Sequence, residues 1–228
     1  MGPERRAIKS AFAGIGHAWK NRSFRVEDAL ECGAIPSPCL KAMRTSVPLD
    51  KAYRLLNHGP VVLVTSAHGD ARNVMAAAWS MPIDFSPPKV AVVVDGRSYS
   101  RTLIDASGEF AFNIPCRAQI EAVLKAGTAS GHDADKFAAT GLETFAAERV
   151  AAPLIEGCVG WLECKVIAEP HNQKCYDLFI AEVVAASADD RVFREGRWDM
   201  SDDDLRTLHY LAGGSFFATG DAVVVSSD

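Results

Sequence analysis

No apolar run in this 228-residue chain is long enough to cross a bilayer. Near the start, "AFAGIG" is broken by His17 and Lys20 before it can form a secretory core. The Arg5-Arg6 pair has no adequate apolar stretch after it. These absences point to a cytoplasmic protein with no membrane partner. Basic residues are not in excess: 24 Lys and Arg face 29 Asp and Glu, for a net charge of −5. Binding a phosphate backbone needs clustered cations, so nucleic acid is set aside as a partner. A small anion needs only one local positive pocket and stays open.

The six cysteines (32, 39, 116, 158, 164 and 175) include no Cys-x-x-Cys, and no His pair has zinc-finger spacing. We expect no metal and reduced thiols, several packed like small apolar residues. Gly-x-Ser-x-Gly, His-Glu-x-x-His and Gly-x-Gly-x-x-Gly are all missing, and the six histidines are scattered. Hydrolytic chemistry therefore lacks its usual parts, and so does a Rossmann dinucleotide site.

What remains is a globular composition, 48% hydrophobic and 23% charged. Residues 1–42 differ from the rest: seven Lys or Arg against four acids make +3, leaving −8 for residues 43–228. We read 1–42 as an N-terminal extension open to partial disorder, and 43–228 as one domain. In that domain "PLDKAYRLLNHGP" reads as a helix. "VVLVTSA" and "KVAVVV" read as β-branched strands, with "HGDARN" a polar turn. "SYSRTLIDASGEF" holds a helix capped by Ser98 or Ser100 and ended by Gly108. "EFAFNI" is a strand. "RAQIEAVLKAG" and "DADKFAATG" are helices ending at Gly127 and Gly141. "CVGWLECKVIAE" alternates, placing Cys158, Leu162, Cys164 and Val166 on one face and Glu163, Lys165 and Glu169 on the other. "YDLFIAEVVAAS" is a long strand. "SDDDLRTLHYLAGG" reads as a helix capped by Ser201, and "AVVV" as a short tail strand. About six strands with irregularly placed helices favour a mainly β, α+β fold: an antiparallel barrel with peripheral helices.

Three stretches could hold a ligand. Ser98 and Ser100 open a helix between Arg97 and Arg101, which reads as a phosphate site or as an ordinary cap with solvated arginines. "TASGHDADKF" offers Ser130, Gly131 and Lys136, the lysine being an anion ligand or a surface residue. In "NVMAAAWSMPIDFSPPKV", three alanines precede Trp79 and a proline-rich turn. Such a strand either packs tightly on another element or lets a flat ring approach its backbone.

These stretches together resemble the flavin reductase-like, FMN-binding split-barrel family, in its flavoredoxin-type branch. The carriers, in order from about residue 47 to about residue 220, are "GPVVLVTS", "NVMAAAWSMPIDFSPPKVAV", "LIDASGEFAFNIP", "SGHDADKF", "LECKV", "DLFIAEVV" and "LHYLAGG". The resemblance implies an antiparallel Greek-key split barrel that forms a homodimer with FMN near the subunit interface. It implies that Asn73, Val74, Met75, Ala76, Ala77, Ala78 and Trp79 lie along the flavin ring. It places Ser100 at the cofactor's phosphate or ribityl end and Lys136 in contact with FMN; Ser98, which stands where relatives often carry Arg, and Ser130 complete the candidate cofactor-binding set, and His209 borders a nicotinamide pocket as the one candidate catalytic residue. The chain departs from relatives in carrying Ala76 and Ala78 where Thr or Ser is usual. The implied activity is an NAD(P)H-dependent flavin reductase, with NADH or NADPH as donor and a monooxygenase or other acceptor as partner. The alternatives are a flavoredoxin-like electron carrier and a non-enzymatic split-barrel binding module.

Overall fold

The computed structural model describes residues 60–194 and 196–224. The expected extension at 1–42 and the helix expected within residues 48–60 lie outside these, apart from Pro60. Seven strands form one sheet in the order β2-β1-β5-β8-β9-β4-β3, with every neighbouring pair antiparallel. They are β1 (Val62–His68), β2 (Ala71–Ala77), β3 (Ser80–Phe85), β4 (Pro88–Val93), β5 (Glu109–Ile114), β8 (Gly160–Ile167) and β9 (Leu178–Ala188). Short pairs complete the set: β6 (Thr144–Phe145) with β7 (Leu154–Ile155), β10 (Phe193–Arg194) with β11 (Arg197–Trp198), and β12 (Leu208–Ala212) with β13 (Ser215–Ala218).

The two edges of the sheet, β2 and β3, are consecutive in the chain and joined only by Ala78 and Trp79. Flat, such a sheet would hold its edges about 29 Å apart. Two linking residues span only about 10 Å. The sheet therefore curls until its edges converge at that corner, and the cylinder is split between β2 and β3.

Strand alternation sorts side chains to the two faces. Val62, Val64, Ala77, Val90, Val92, Phe110, Phe112, Cys164 and Phe179 fill the inside, with Ile104 of helix α1 (Tyr99–Ser107) packed among them. Leu63, Val74 and Ala76 face outward and meet Val123 and Ala126 of α2 (Ile120–Thr128), Phe137 of α3 (Lys136–Thr140) and Leu208 of β12. Among the described residues no helix is long and apolar enough to cross a membrane.

Helix α1 has the expected boundaries, Ser98 at its N-cap and left-handed Gly108 at its C-cap. Four expectations differ from the structure. The proline-rich stretch after Trp79 is not simply a turn, because Ser80–Phe85 forms edge strand β3, where Pro82 removes no interior ladder bond. The helix expected at "SDDDLRTLHYLAGG" is a 3-10 turn at Asp203–Leu205, capped by Asp202 rather than Ser201, followed by the β12–β13 hairpin. Gly213 and Gly214 both have positive φ and supply the hairpin's turn, not a helix stop. Residues 222–224 carry no strand. On β8, Leu162, Cys164 and Val166 do face the inner core, but Cys158 joins the outer cluster. Glu163 is buried, its carboxylate accepting from the backbone N–H groups of Glu148 (3.1 Å) and Arg149 (2.5 Å).

Candidate functional site

Strand β2 carries the segment singled out in the sequence, and as an edge strand it pairs only with β1. One row of its backbone groups therefore faces away from the sheet, available to something laid along it. Asn73 and Ser66 stand directly opposite each other on β2 and β1, and so share a face. That face continues through Met75 and Ala77 into the inner core, and α1 covers it. Asn73 Nδ2 donates to Ser100 Oγ of α1 at 2.9 Å, both residues buried. Ser66 Oγ is also buried and has no hydrogen-bond partner among the described residues. A buried hydroxyl left in that condition costs about 1–3 kcal/mol.

The outward face explains the alanines in part. Ala76 lies against Gly127 of α2, where a Cβ built on the glycine would sit 3.4 Å from the Ala76 Cβ. Val74 is wholly buried in the same outer cluster. Ala76 is therefore small because a helix packs closely on it, and Ala77 because it points into the barrel. Ala78 is half-buried at the corner, and Trp79 is 53% exposed, its carbonyl accepting from Val93 N.

At the start of α1 the side chains have internal partners. Ser98 Oγ accepts from Arg101 N at 3.2 Å, an ordinary N-cap. Arg97 is paired with Asp95 at 2.7 Å. Arg101 bonds Asp105 and Asp177 and the carbonyls of Val94 and Gln173, and its guanidinium stacks 4.6 Å above the Phe179 ring. Arg101 thus clamps α1 to β9 and to α4 (Pro170–Tyr176), and is not a solvated cation.

The segment after α2 closes on this region. Ser130 is exposed, and its Oγ accepts from His132 N at 3.2 Å. A Cβ on Gly131 would lie 2.4 Å from Asn73 Oδ1, so only glycine permits this approach. The His132 ring packs on Tyr99 at 5.1 Å. A cavity of about 470 Å³ opens here between Arg72, Tyr99, Gly131, His132, Asp133 and Asp135, among others. Asp135 caps α3 by accepting from Phe137 N and Ala138 N. Lys136 is only 5% exposed, and its Nζ makes one hydrogen bond, to Ala126 O at 2.7 Å near the C-terminus of α2. Desolvation pushes its pKa down to about 8. Among the described residues no carboxylate pairs with it. A buried ammonium with donors to spare is a natural anion ligand.

The sequence thus brings Asn73, Ser100 and the segment 130–136 together around one end of β2. His209 is not on a helix: it lies on β12, opposite Phe217, on the strand face that alternates away from Tyr210. Ser66 was missed. It sits inside the quoted "GPVVLVTS" stretch, but nothing in a β-branched strand marks one hydroxyl as unsatisfied; only the register with Asn73 does. Among the described residues no group of three or more His, Cys, Asp or Glu is placed to hold a metal.

The set is a binding set: hydroxyls, a carboxamide, a buried ammonium and a strand edge. This fold defines a class, the antiparallel split barrel of FMN-binding, flavin reductase-like proteins. The chain belongs to that family: the model of the flavin reductase like domain matches residues 54–215. It is 45% identical over 180 residues to Escherichia coli K12 YddH, an uncharacterized protein, covering 78% of this chain and 95% of the relative. It is also 45% identical to an FMN-binding domain of a flavin reductases-like enzyme from Shewanella baltica, with a TM-score of 0.72 and coverage of 80% of this chain and 97% of that one. Flavoredoxin of Desulfovibrio vulgaris is 27% identical, with a TM-score of 0.65 and coverage of 82% and 95%.

Proposed function

We propose that the protein binds FMN and acts as an NAD(P)H-dependent flavin reductase. The observation that carries this reading is the 45% identity to the Shewanella FMN-binding domain along 97% of its length. The residues here fit the group. The outward edge of β2 offers main-chain N–H and C=O groups to the polar rim of a flat ring, with Trp79 at its end. Lys136, buried and bonded once, suits the phosphate. Asn73 and Ser100 supply neutral polar contacts between those two ends.

When bound, FMN supplies hydride acceptance and return, which needs no side-chain base. The chain's own work is to bind, orient and shield. Main-chain donors along β2 would hold the ring's polar edge and favour negative charge there. The donor is NADH or NADPH, the setting is cytoplasmic, and the acceptor is a monooxygenase partner or another flavin- or electron-accepting protein.

The working unit in this reading is a homodimer. Trp79 and, along edge strand β3, Met81, Ile83 and Phe85 are 53%, 58%, 41% and 92% exposed, on both sides of a register shift at Ile83. An exposed apolar edge of this kind on a monomer favours a protein contact, and it starts at the site's own Trp79.

Anaerobic mixing of the FMN-loaded protein with NADH or NADPH tests the activity. Bleaching of the visible flavin band, with turnover when free FMN is added, is the expected result. A bound flavin that dithionite reduces but neither nucleotide does would move the protein to the electron-carrier reading, which the likeness to flavoredoxin favours.

A further inference from the structure

We propose that Ser66 is a further contact of the flavin site, and that the group it takes is a ribityl hydroxyl rather than the phosphate or the ring. The inference rests on the FMN-binding reading and extends it to a residue outside the 73–79 segment. Two buried side-chain N/O atoms lack a hydrogen bond among the described residues, Ser66 Oγ and Arg206 Nε. Arg206 Nε still lies 3.0 Å from Asp203 Oδ1. Ser66 Oγ is therefore the one with neither a hydrogen bond nor an ion-pair contact, and native proteins rarely leave such a group unanswered.

Its position selects the ligand group. Ser66 stands opposite Asn73, and Asn73 is bonded to Ser100, so two hydroxyls and a carboxamide line one patch beneath α1. All three are uncharged. The arginines near the start of α1 are held by carboxylates, Arg97 by Asp95 and Arg101 by Asp105 and Asp177. None of the three patch residues is a cation, and a phosphate dianion is better served at Lys136. The ring is better served at the edge of β2. Ser66 is one strand further in, about 4.8 Å from that edge, on a face that α1 covers. With Ser66 and Ser100 wholly buried, a ligand group reaching Ser66 must part helix from strand, which a thin hydroxylated chain requires less of than a tricyclic ring. A hydroxyl also suits Ser66, because each can donate and accept. Entry requires residues 130–133 to lift from Asn73, a segment whose Gly131 approaches Asn73 without a Cβ in the way.

The test is fluorescence titration of wild type and Ser66→Ala with FMN, riboflavin and lumiflavin, which lacks the ribityl chain, together with the melting temperature of each flavin-free protein. Loss of one hydrogen bond should weaken FMN and riboflavin about three- to tenfold, with lumiflavin unchanged and the melting temperature not lowered. Unchanged FMN affinity would overturn the proposal, as would a parallel loss for lumiflavin. If wild type binds none of the three flavins, the FMN reading itself fails and this inference falls with it.

Discussion

Asn73 on β2 donates through Nδ2 to Ser100 Oγ on α1, 27 residues further along the chain, at 2.9 Å and out of contact with water. The bond ties the edge strand of the barrel to the helix that plugs it. Groups so buried and so joined should be thermodynamically coupled. A double-mutant cycle with Asn73→Ala and Ser100→Ala, read by urea denaturation, should give an interaction energy of about 0.5–3 kcal/mol. Strict additivity would mean that the pair does not hold α1 to the strand.

Gly131 should resist substitution for steric reasons alone. A Cβ there meets the Asn73 amide at 2.4–2.9 Å, so Gly131→Ala must push the segment away or turn the amide from Ser100. We expect a loss of about 1–3 kcal/mol in stability together with weaker flavin binding. An alanine variant as stable as wild type would show that this approach is not constrained.

Lys136 gives a pH signature. Its folded pKa is about 8 against an ordinary value of 10.5, lowered by desolvation. Between these values the unfolded chain holds more protons than the folded one, so stability rises with pH across that window. Denaturation at pH 7.5 and pH 10 should show wild type gaining relative to Lys136→Met, in which that gain is absent. The same variant should bind FMN at least about tenfold more weakly, in line with loss of a charged hydrogen bond. Equal pH dependence in the two proteins would place the ammonium in water.

The exposed apolar edge at β3 predicts an association state. Replacing Met81 or Phe85 by Glu puts a charge into the proposed contact, and light scattering after gel filtration should show a dimer becoming a monomer. Wild type that is already monomeric would remove this edge from any self-contact.

The sequence reading succeeded where one signal dominated. β-branched density placed β1 and β4, and a serine cap with a glycine stop bounded α1. It failed where two structures share a signal. Asp202, Asp203 and Asp204 before an apolar run look like a helix start, yet they form a 3-10 turn leading into a hairpin. Pro82 and Asp84 look like a turn, yet an edge strand tolerates both. Glu163 alternates with apolar neighbours as a solvent-facing residue would, but a register shift between Glu163 and Cys164 and two backbone N–H donors accompany its burial. Asn73 stands out in the sequence through its motif. Its pairing with Ser66 and its contact with Gly131 do not, because both depend on tertiary register rather than local pattern.

The most direct measurement of the central claim is the visible spectrum of the purified protein, taken after FMN is added and excess removed by desalting, with a parallel titration followed by flavin fluorescence. The account predicts a protein-perturbed flavin band, or at least saturable quenching of FMN fluorescence. No retained flavin and no quenching would contradict it, leaving a split barrel without the cofactor that its edge strand, its buried lysine and its relatives point to.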